Sequence, residues 1–436
     1  MSVFSAPGPD GIVRPPKLPR VVRVANRVGG ALRAAGLPLV RLDEASLVAA
    51  AVREAGSEEL GEGPFLEPLR ILLASLEREA SLTLLGRSIA RRELVRVIRN
   101  RLQLVADRRR HPGIAAQEIR RPIFVVGLPR TGSTILHDIL AQDPATRAPL
   151  TWECNDPSPP PEAARFVSDP RIVSNDEALA GVDRLIPGFK AMHPMGATLT
   201  QECVVLFMHS VATPIFHNSY RVPSYQDWLD LRCDWRPVYA FHRRQLQHLQ
   251  WRCARERWVL KSGVHMWGLE QLFETYPDAC IVQTHRDPIK VATSFASLAT
   301  LVRSMTSDRV DAAEVAADWT PRLARALEHA IDVRDGGKIA PERFVDVHFG
   351  ALLADPLAVV EGIYARFGLE LSGLAADRMR RFVADNPQGK HGVHRYQPRE
   401  YGIDVSRERE RFRRYSERFG ILPEPEGPRE GRVRDF

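Results

Sequence analysis

The segment Arg121-Pro-Ile-Phe-Val-Val-Gly-Leu-Pro-Arg-Thr-Gly-Ser-Thr-Ile-Leu136 constrains this chain more than any other. Ile123 to Val126 is an apolar run of strand length, Gly127 to Ser133 a tight glycine loop, and Thr134 onward a helix start. Gly127 and Gly132 allow backbone conformations that a side chain would block. The N–H groups of such a loop and of the helix that follows converge on one concave, positively polarised spot. Arg130 adds a formal charge there. The arrangement suits a phosphate better than a bare strand-to-helix turn.

The loop nearly matches the nucleoside-triphosphate pattern G-x-x-x-x-G-K-[ST], but Ser133 stands where the lysine belongs. That lysine reaches the β- and γ-phosphates, and the hydroxyl after it holds Mg²⁺. Here the loop's only cation is Arg130, two residues before the second glycine. The sequence therefore cradles a phosphate while lacking a part needed for ATP, which points to another nucleotide.

The rest of the chain supplies a frame for that loop. Residues 1–20 are rich in Pro and Gly and read as irregular. Residues 21–120 carry helical periodicity, over Val21–Ala35, Leu42–Ala55, Pro68–Glu77 and Ala80–Arg109, with Asp43 and Ser81 placed to cap helices. Residues 121–436 form the α/β part, where short apolar strands alternate with helices. The strands are expected at Ile123–Val126, Trp258–Leu260, Cys280–Thr284 and Phe344–His348. Their helices follow at Ile135–Ala141, His265–Tyr276, Ile289–Arg303 and Pro356–Phe367. This alternation predicts a P-loop-like parallel sheet flanked by helices, with a helical N-terminal extension and a ligand beyond the strands' carboxyl ends.

Composition excludes several classes. A hydrophobic fraction of 44% is ordinary for a globular enzyme. No apolar run approaches the roughly 18 residues of a membrane span, and Cys203–Phe216, the most apolar stretch, contains His209. The N-terminus shows no apolar signal region, and five scattered cysteines without a C-x-x-C pair fit reduced thiols in the cytoplasm rather than a zinc site. The net charge of +7 comes from arginines interspersed with acids, as in Arg407–Arg418. That pattern indicates a solvated mixed-charge surface and anionic ligands rather than nucleic acid.

A second informative segment follows the Cys280–Thr284 strand: His285-Arg-Asp-Pro-Ile-Lys-Val-Ala-Thr-Ser-Phe295. Arg286 lies just past the strand end and Ser294 about two helical turns on, so both could reach a second phosphate. Taken alone, Arg286 paired with Asp287 and Ser294 as a helix-surface hydroxyl would suffice. Trp258-Val-Leu-Lys-Ser-Gly-Val-His265 ends another strand at Lys261, and Asn386-Pro-Gln-Gly-Lys-His-Gly-Val-His-Arg-Tyr396 is a glycine-rich basic loop.

Together these segments resemble the nucleotide-binding elements of sulfotransferases that use 3′-phosphoadenosine-5′-phosphosulfate (PAPS). In order and spacing they are most similar to the bacterial branch with a helical N-terminal extension, over about residues 120–420. The resemblance implies that Arg130, Thr131, Gly132, Ser133, Thr134 and Ile135 hold the 5′-phosphosulfate, and that Arg286 and Ser294 hold the 3′-phosphate. It assigns Gly389, Lys390 and His391 to a loop over the cofactor's 3′ end, and aims Lys261 at the leaving oxygen with Arg130. No metal is implied, because a sulfuryl group carries less charge than a γ-phosphoryl.

The acceptor hydroxyl also needs a base. Position in the family pattern favours Glu202, in His193-Pro-Met-Gly-Ala-Thr-Leu-Thr-Gln-Glu-Cys203, where related bacterial enzymes tend to be more acidic. His265 and His193 are the alternatives, favoured by an ordinary pKa near working pH, and Glu202 could instead merely stabilise a helix start. Trp228, Trp235 and Tyr239 read as helix packing, with a share in an acceptor pocket. The apolar helix at Val204–Phe216 points weakly to a lipid-like alcohol. Two other readings stay open: a P-loop kinase using ATP, and a nucleotide-binding protein that has lost catalysis.

Overall fold

The computed structural model describes residues 18–185, 195–387 and 397–424. Its centre is a five-stranded parallel sheet in the order β2-β3-β1-β4-β5. The strands are β1 (Ile123–Val126), β2 (Thr146–Arg147), β3 (Arg257–Lys261), β4 (Cys280–His285) and β5 (Phe344–His348). All four residues of β1 are buried, because the central strand is covered on both faces. Ile123 and Val125 pack on one side with Val259, Cys280 and Val282. Phe124 and Val126 pack on the other with Trp258, Leu260 and Ile281, as the two-residue side-chain period requires.

Among the described residues four α-helices precede the sheet: α1 (Arg20–Ala34), α2 (Glu44–Ala55), α3 (Leu66–Arg78) and α4 (Leu84–Arg110). Their apolar residues, Leu47, Leu69, Leu94 and Ile98 among them, belong to the same core cluster as Phe124 and Leu260. Asp43 caps α2, its carboxylate accepting from the Ser46 N–H at 2.9 Å. Ser81 caps nothing: it has φ of 49°, and Thr83 caps α4 by accepting from the Gly86 N–H at 3.0 Å. The helix expected from His265 onward is divided into a 3₁₀ turn, Gly263–Trp267, and a short α-helix, Leu269–Thr275.

The start of α4 docks tightly onto the α/β part. The Thr83 N–H donates to Thr306 O at 3.0 Å, and a Cβ on Gly86 would lie 2.0 Å from that same oxygen. Gly86→Ala therefore forces two backbones apart and is expected to cost about 3 kcal/mol, read from the urea midpoint at constant m-value.

Candidate active site

Three strands end at one place. β1 runs into the glycine loop, β3 ends at Lys261 level with Val125, and β4 ends at His285, just before Arg286. The loop's shape is set by close backbone approaches. Gly127 has φ of 134°, and a Cβ there would meet the Oγ1 and O of Thr284 at 2.5 and 2.6 Å. Thr131 is buried, donating its hydroxyl to Leu128 O at 2.7 Å and sharing a 2.6 Å hydrogen bond with Thr284 Oγ1. Its side chain thus fixes the loop, leaving its backbone to face a ligand. Arg130 adopts φ of 69°, and its side chain is exposed.

Gly132, with φ of 88°, is the N-cap of α5 (Ser133–Leu140) and supplies no side-chain cap. The N–H groups of Ser133, Thr134 and Ile135 are first-turn donors of this helix, without a carbonyl four residues back inside it. Their sum with the helix dipole makes the spot attractive to an anion.

Lys261 extends from β3 to this helix start, donating from Nζ to Thr134 Oγ1 at 3.0 Å. The same ammonium is ion-paired with Glu202; the lysine side chain is buried and the glutamate half-buried. Glu202 arrives from another direction. The segment before it is laced antiparallel to residues 149–152, through Thr151 N to Leu199 O at 3.0 Å and Gln201 N to Pro149 O at 2.8 Å. Glu202 is the N-cap residue of the helix Cys203–Leu206, yet its side chain makes no cap bond. Its carboxylate is directed to Lys261 instead of serving the helix.

The closing loop's Gly389, Lys390 and His391 lie outside the described residues, as does His193. A model of the sulfotransferase family matches residues 122–373, which span the loop, Glu202, Lys261 and Arg286. The chain belongs to the sulfotransferase family.

The crystal structure of sulfotransferase STF1 from Mycobacterium tuberculosis H37Rv is 35% identical, with a TM-score of 0.76, covering 85% of this chain and 98% of that one. Sulfotransferase STF9 from Mycobacterium avium superposes with a TM-score of 0.82 at 26% identity, covering 89% and 99%. The omega-hydroxy-beta-dihydromenaquinone-9 sulfotransferase Stf3 of Mycobacterium bovis is 26% identical over 284 residues, 62% of this chain and 68% of that protein.

In this sulfotransferase His265 stands apart from the group around Lys261. Its ring is fully buried between Phe124 and Phe207 and hydrogen-bonded to Tyr239 Oη at 2.8 Å. Burial holds its pKa well below the ordinary value, so it packs as a neutral imidazole. The chain leaves the sheet at Lys261 and tightens into a 3₁₀ turn, which sends this side chain inward. His265 is therefore withdrawn as a base. Trp228, Trp235 and Tyr239 are likewise buried in the same core cluster.

Arg286 stacks over Phe349 at 4.0 Å and donates to Arg130 O at 3.0 Å. Its Nε and Nη2 also fork onto the Glu424 carboxylate at 2.7 and 2.8 Å. Asp287, the partner that the bland sequence reading gave Arg286, is used otherwise. Its side chain caps the helix Pro288–Arg303 through the Ile289 N–H and accepts from the Glu424 N–H at 2.8 Å. Ser294, two turns into that helix, is buried.

One carboxyl close to the loop helix went unread in the sequence. Asp138 lies four residues after Thr134 in α5, on the same helical face, and accepts a hydrogen bond from Thr200. Burial pushes its carboxyl up to about 6, against the opposing pull of Thr200 and of Lys261. An acid four residues beyond a loop threonine, inside a helix that begins at a phosphate loop, was the available signal.

Proposed function

We propose that this sulfotransferase moves the sulfuryl group of PAPS to an acceptor hydroxyl by in-line displacement. The observation that carries the reading is the meeting of Lys261 with Thr134 of the loop and with Glu202. An ammonium stands at the anion-binding helix start and a carboxylate stands beside it. In the reaction the bond from sulfur to the bridging oxygen breaks as sulfur bonds to the acceptor oxygen. The electron pair of the broken bond stays on the 5′-phosphate oxygen, and the acceptor's proton passes to Glu202. Lys261 and Arg130 stabilise the charge gathering on the leaving oxygen, while the backbone N–H groups of residues 130–135 hold the 5′-phosphate. The products are a sulfate ester and adenosine 3′,5′-bisphosphate.

The 3′-phosphate is assigned to Arg286 with Ser294, and to Gly389, Lys390 and His391. On this reading the phosphate exchanges with Glu424, which now takes the Arg286 fork. Glu424→Gln is expected to tighten adenosine 3′,5′-bisphosphate binding about threefold and Arg286→Ala to weaken it at least tenfold, both by titration calorimetry.

A lipid-like alcohol is the acceptor class we favour, as the name of the Stf3 relative points to an omega-hydroxylated menaquinone derivative. The surroundings of Glu202 support it: Leu199 is 42% exposed, and Val204 and Val205 are half-buried beside it. No helix among the described residues is long and apolar enough to cross a membrane. The five unpaired cysteines fit a cytoplasmic setting.

The test is a titration of purified protein with adenosine 3′,5′-bisphosphate and with ADP–Mg²⁺, followed by transfer of labelled sulfuryl from PAPS to long-chain primary alcohols. Tighter binding of ADP–Mg²⁺ would return the chain to the kinase reading.

A further inference from the structure

We propose that α1 is a membrane-surface anchor, which seats an exposed row of valines in the interface of an anionic bilayer while a parallel row of arginines meets the lipid phosphates. The inference concerns a surface away from the catalytic group and stands whether or not the acceptor is a lipid.

A helix on a protein's surface ordinarily turns its apolar side to the core and its polar side to water. α1 departs from this. Val21, Val24 and Val28 follow one another at spacings of three and four residues, so they line one side of the helix, and they are 78%, 58% and 51% exposed. Ala25 and Ala31 flank them and are exposed too. Arg20, Arg23 and Arg27 repeat a three- and four-residue spacing and form a second exposed row beside the first. The chain leaving the helix adds Leu37 and Leu39, again exposed.

The helix cannot roll to hide the valines, because its other side is keyed to the protein. Asn26 and Gly29 are its buried residues. The Asn26 Oδ1 accepts from the Leu85 N–H at 3.1 Å, and a Cβ on Gly29 would lie 2.8 Å from the Leu84 Cβ. Arg33, off both rows, donates to Glu77 O at 3.3 Å. These contacts hold α1 against the start of α4 with both rows facing solvent.

Charge names the partner. Residues 11–42 hold seven of the chain's 61 lysines and arginines and none of its 54 acids. The remaining 54 cations are equalled by the 54 acids, so the net charge of +7 sits in this stretch and not among the interspersed charges of the rest. Among the described residues no carboxylate pairs with Arg20, Arg23 or Arg27. An apolar row alone would suit a second protein equally well. An unneutralised basic row alongside it suits a surface that offers both phosphates and acyl chains, the arrangement of helices that lie in the plane of a bilayer. The arginine stems run along the apolar boundary and hold their guanidinium heads at the level of the phosphates.

The test is sedimentation of the full-length protein with vesicles of phosphatidylcholine alone and of phosphatidylcholine mixed with phosphatidylglycerol; nucleotide binding plays no part in this readout. Wild type should partition at least about tenfold more strongly onto the mixed vesicles, and added salt should weaken that binding. Arg20→Gln/Arg23→Gln/Arg27→Gln and Val24→Gln/Val28→Gln should each lower it about tenfold or more, with the melting temperature held because the altered side chains are exposed. Val24→Leu/Val28→Leu works in the other direction: the added methylenes should raise binding about fivefold, and no gain overturns the proposal. Equal binding to both vesicle types, or none to either, overturns it. Binding retained by the glutamine-for-valine variant means charge attraction without seating and overturns it as well. A dimer in sedimentation equilibrium that this same variant dissociates, with vesicles left unbound, gives the face to a second copy of the chain instead.

Discussion

Lys261→Met is expected to lower kcat for sulfuryl transfer by about 10²–10³-fold while adenosine 3′,5′-bisphosphate still binds, the loss typical of deleting one preorganised donor to a developing oxyanion. The side chain is held rigidly for this task. Lys261 ends a central-sheet strand, its side chain is 7% exposed, and its Nζ is fixed between Thr134 Oγ1 and the Glu202 carboxylate. Little reorganisation is needed when the bridging oxygen gains charge. A loss confined to the transition state lowers kcat and kcat/KM equally, whereas lost ground-state binding raises KM at constant kcat. Steady-state kinetics with varied PAPS separates the two, and an unchanged kcat removes Lys261 from the mechanism. Methionine keeps the unbranched stem, and Glu202, at 26% exposure, can still reach water. A melting curve with bound nucleotide checks that the fold survives.

The parts of this architecture written in local sequence were legible. β1, the glycine loop and the start of α5 follow from a four-residue apolar run and two glycines, and Lys261 stands at the end of a readable strand. β2 was not legible: two residues carry no periodicity, and Thr146–Arg147 is a strand only because it pairs with Arg257 and Trp258. His265 stood as an alternative base because an ordinary imidazole titrates near working pH, but the turn after Lys261 sends its ring into the core, where burial lowers that pKa. Asp138 and Glu424 were hidden for another reason. Asp138 bonds Thr200, 62 residues away, and Glu424 reaches Arg286 across 138 residues. Long-range pairing of this kind leaves no mark on local composition. Tertiary contact therefore defines the outer parts of the site, while the local pattern defines its phosphate-facing centre.

Glu202→Gln should lower kcat by about 10²–10⁴-fold, the span typical of a general acid–base group. The amide preserves shape and can still accept from Lys261, but it cannot take a proton at working pH. If Glu202 served only to start the Cys203–Leu206 helix, the substitution would shift stability and leave chemistry alone. The structure argues otherwise, since the carboxylate makes no cap bond and is directed to the ammonium. Two measurements separate the cases. The rate with an acidic acceptor such as a nitrophenol, already ionised at pH 8, should be far less sensitive to Glu202→Gln than the rate with an aliphatic alcohol, because no proton then needs a destination. Equal losses with both acceptors would remove the base role. The double variant Lys261→Met/Glu202→Gln supplies the second measurement. Groups that act as one unit are not additive, so the pair should lose little more than the worse single variant. Additive losses would instead mean that the ammonium and the carboxylate act at separate steps, and that their contact is structural.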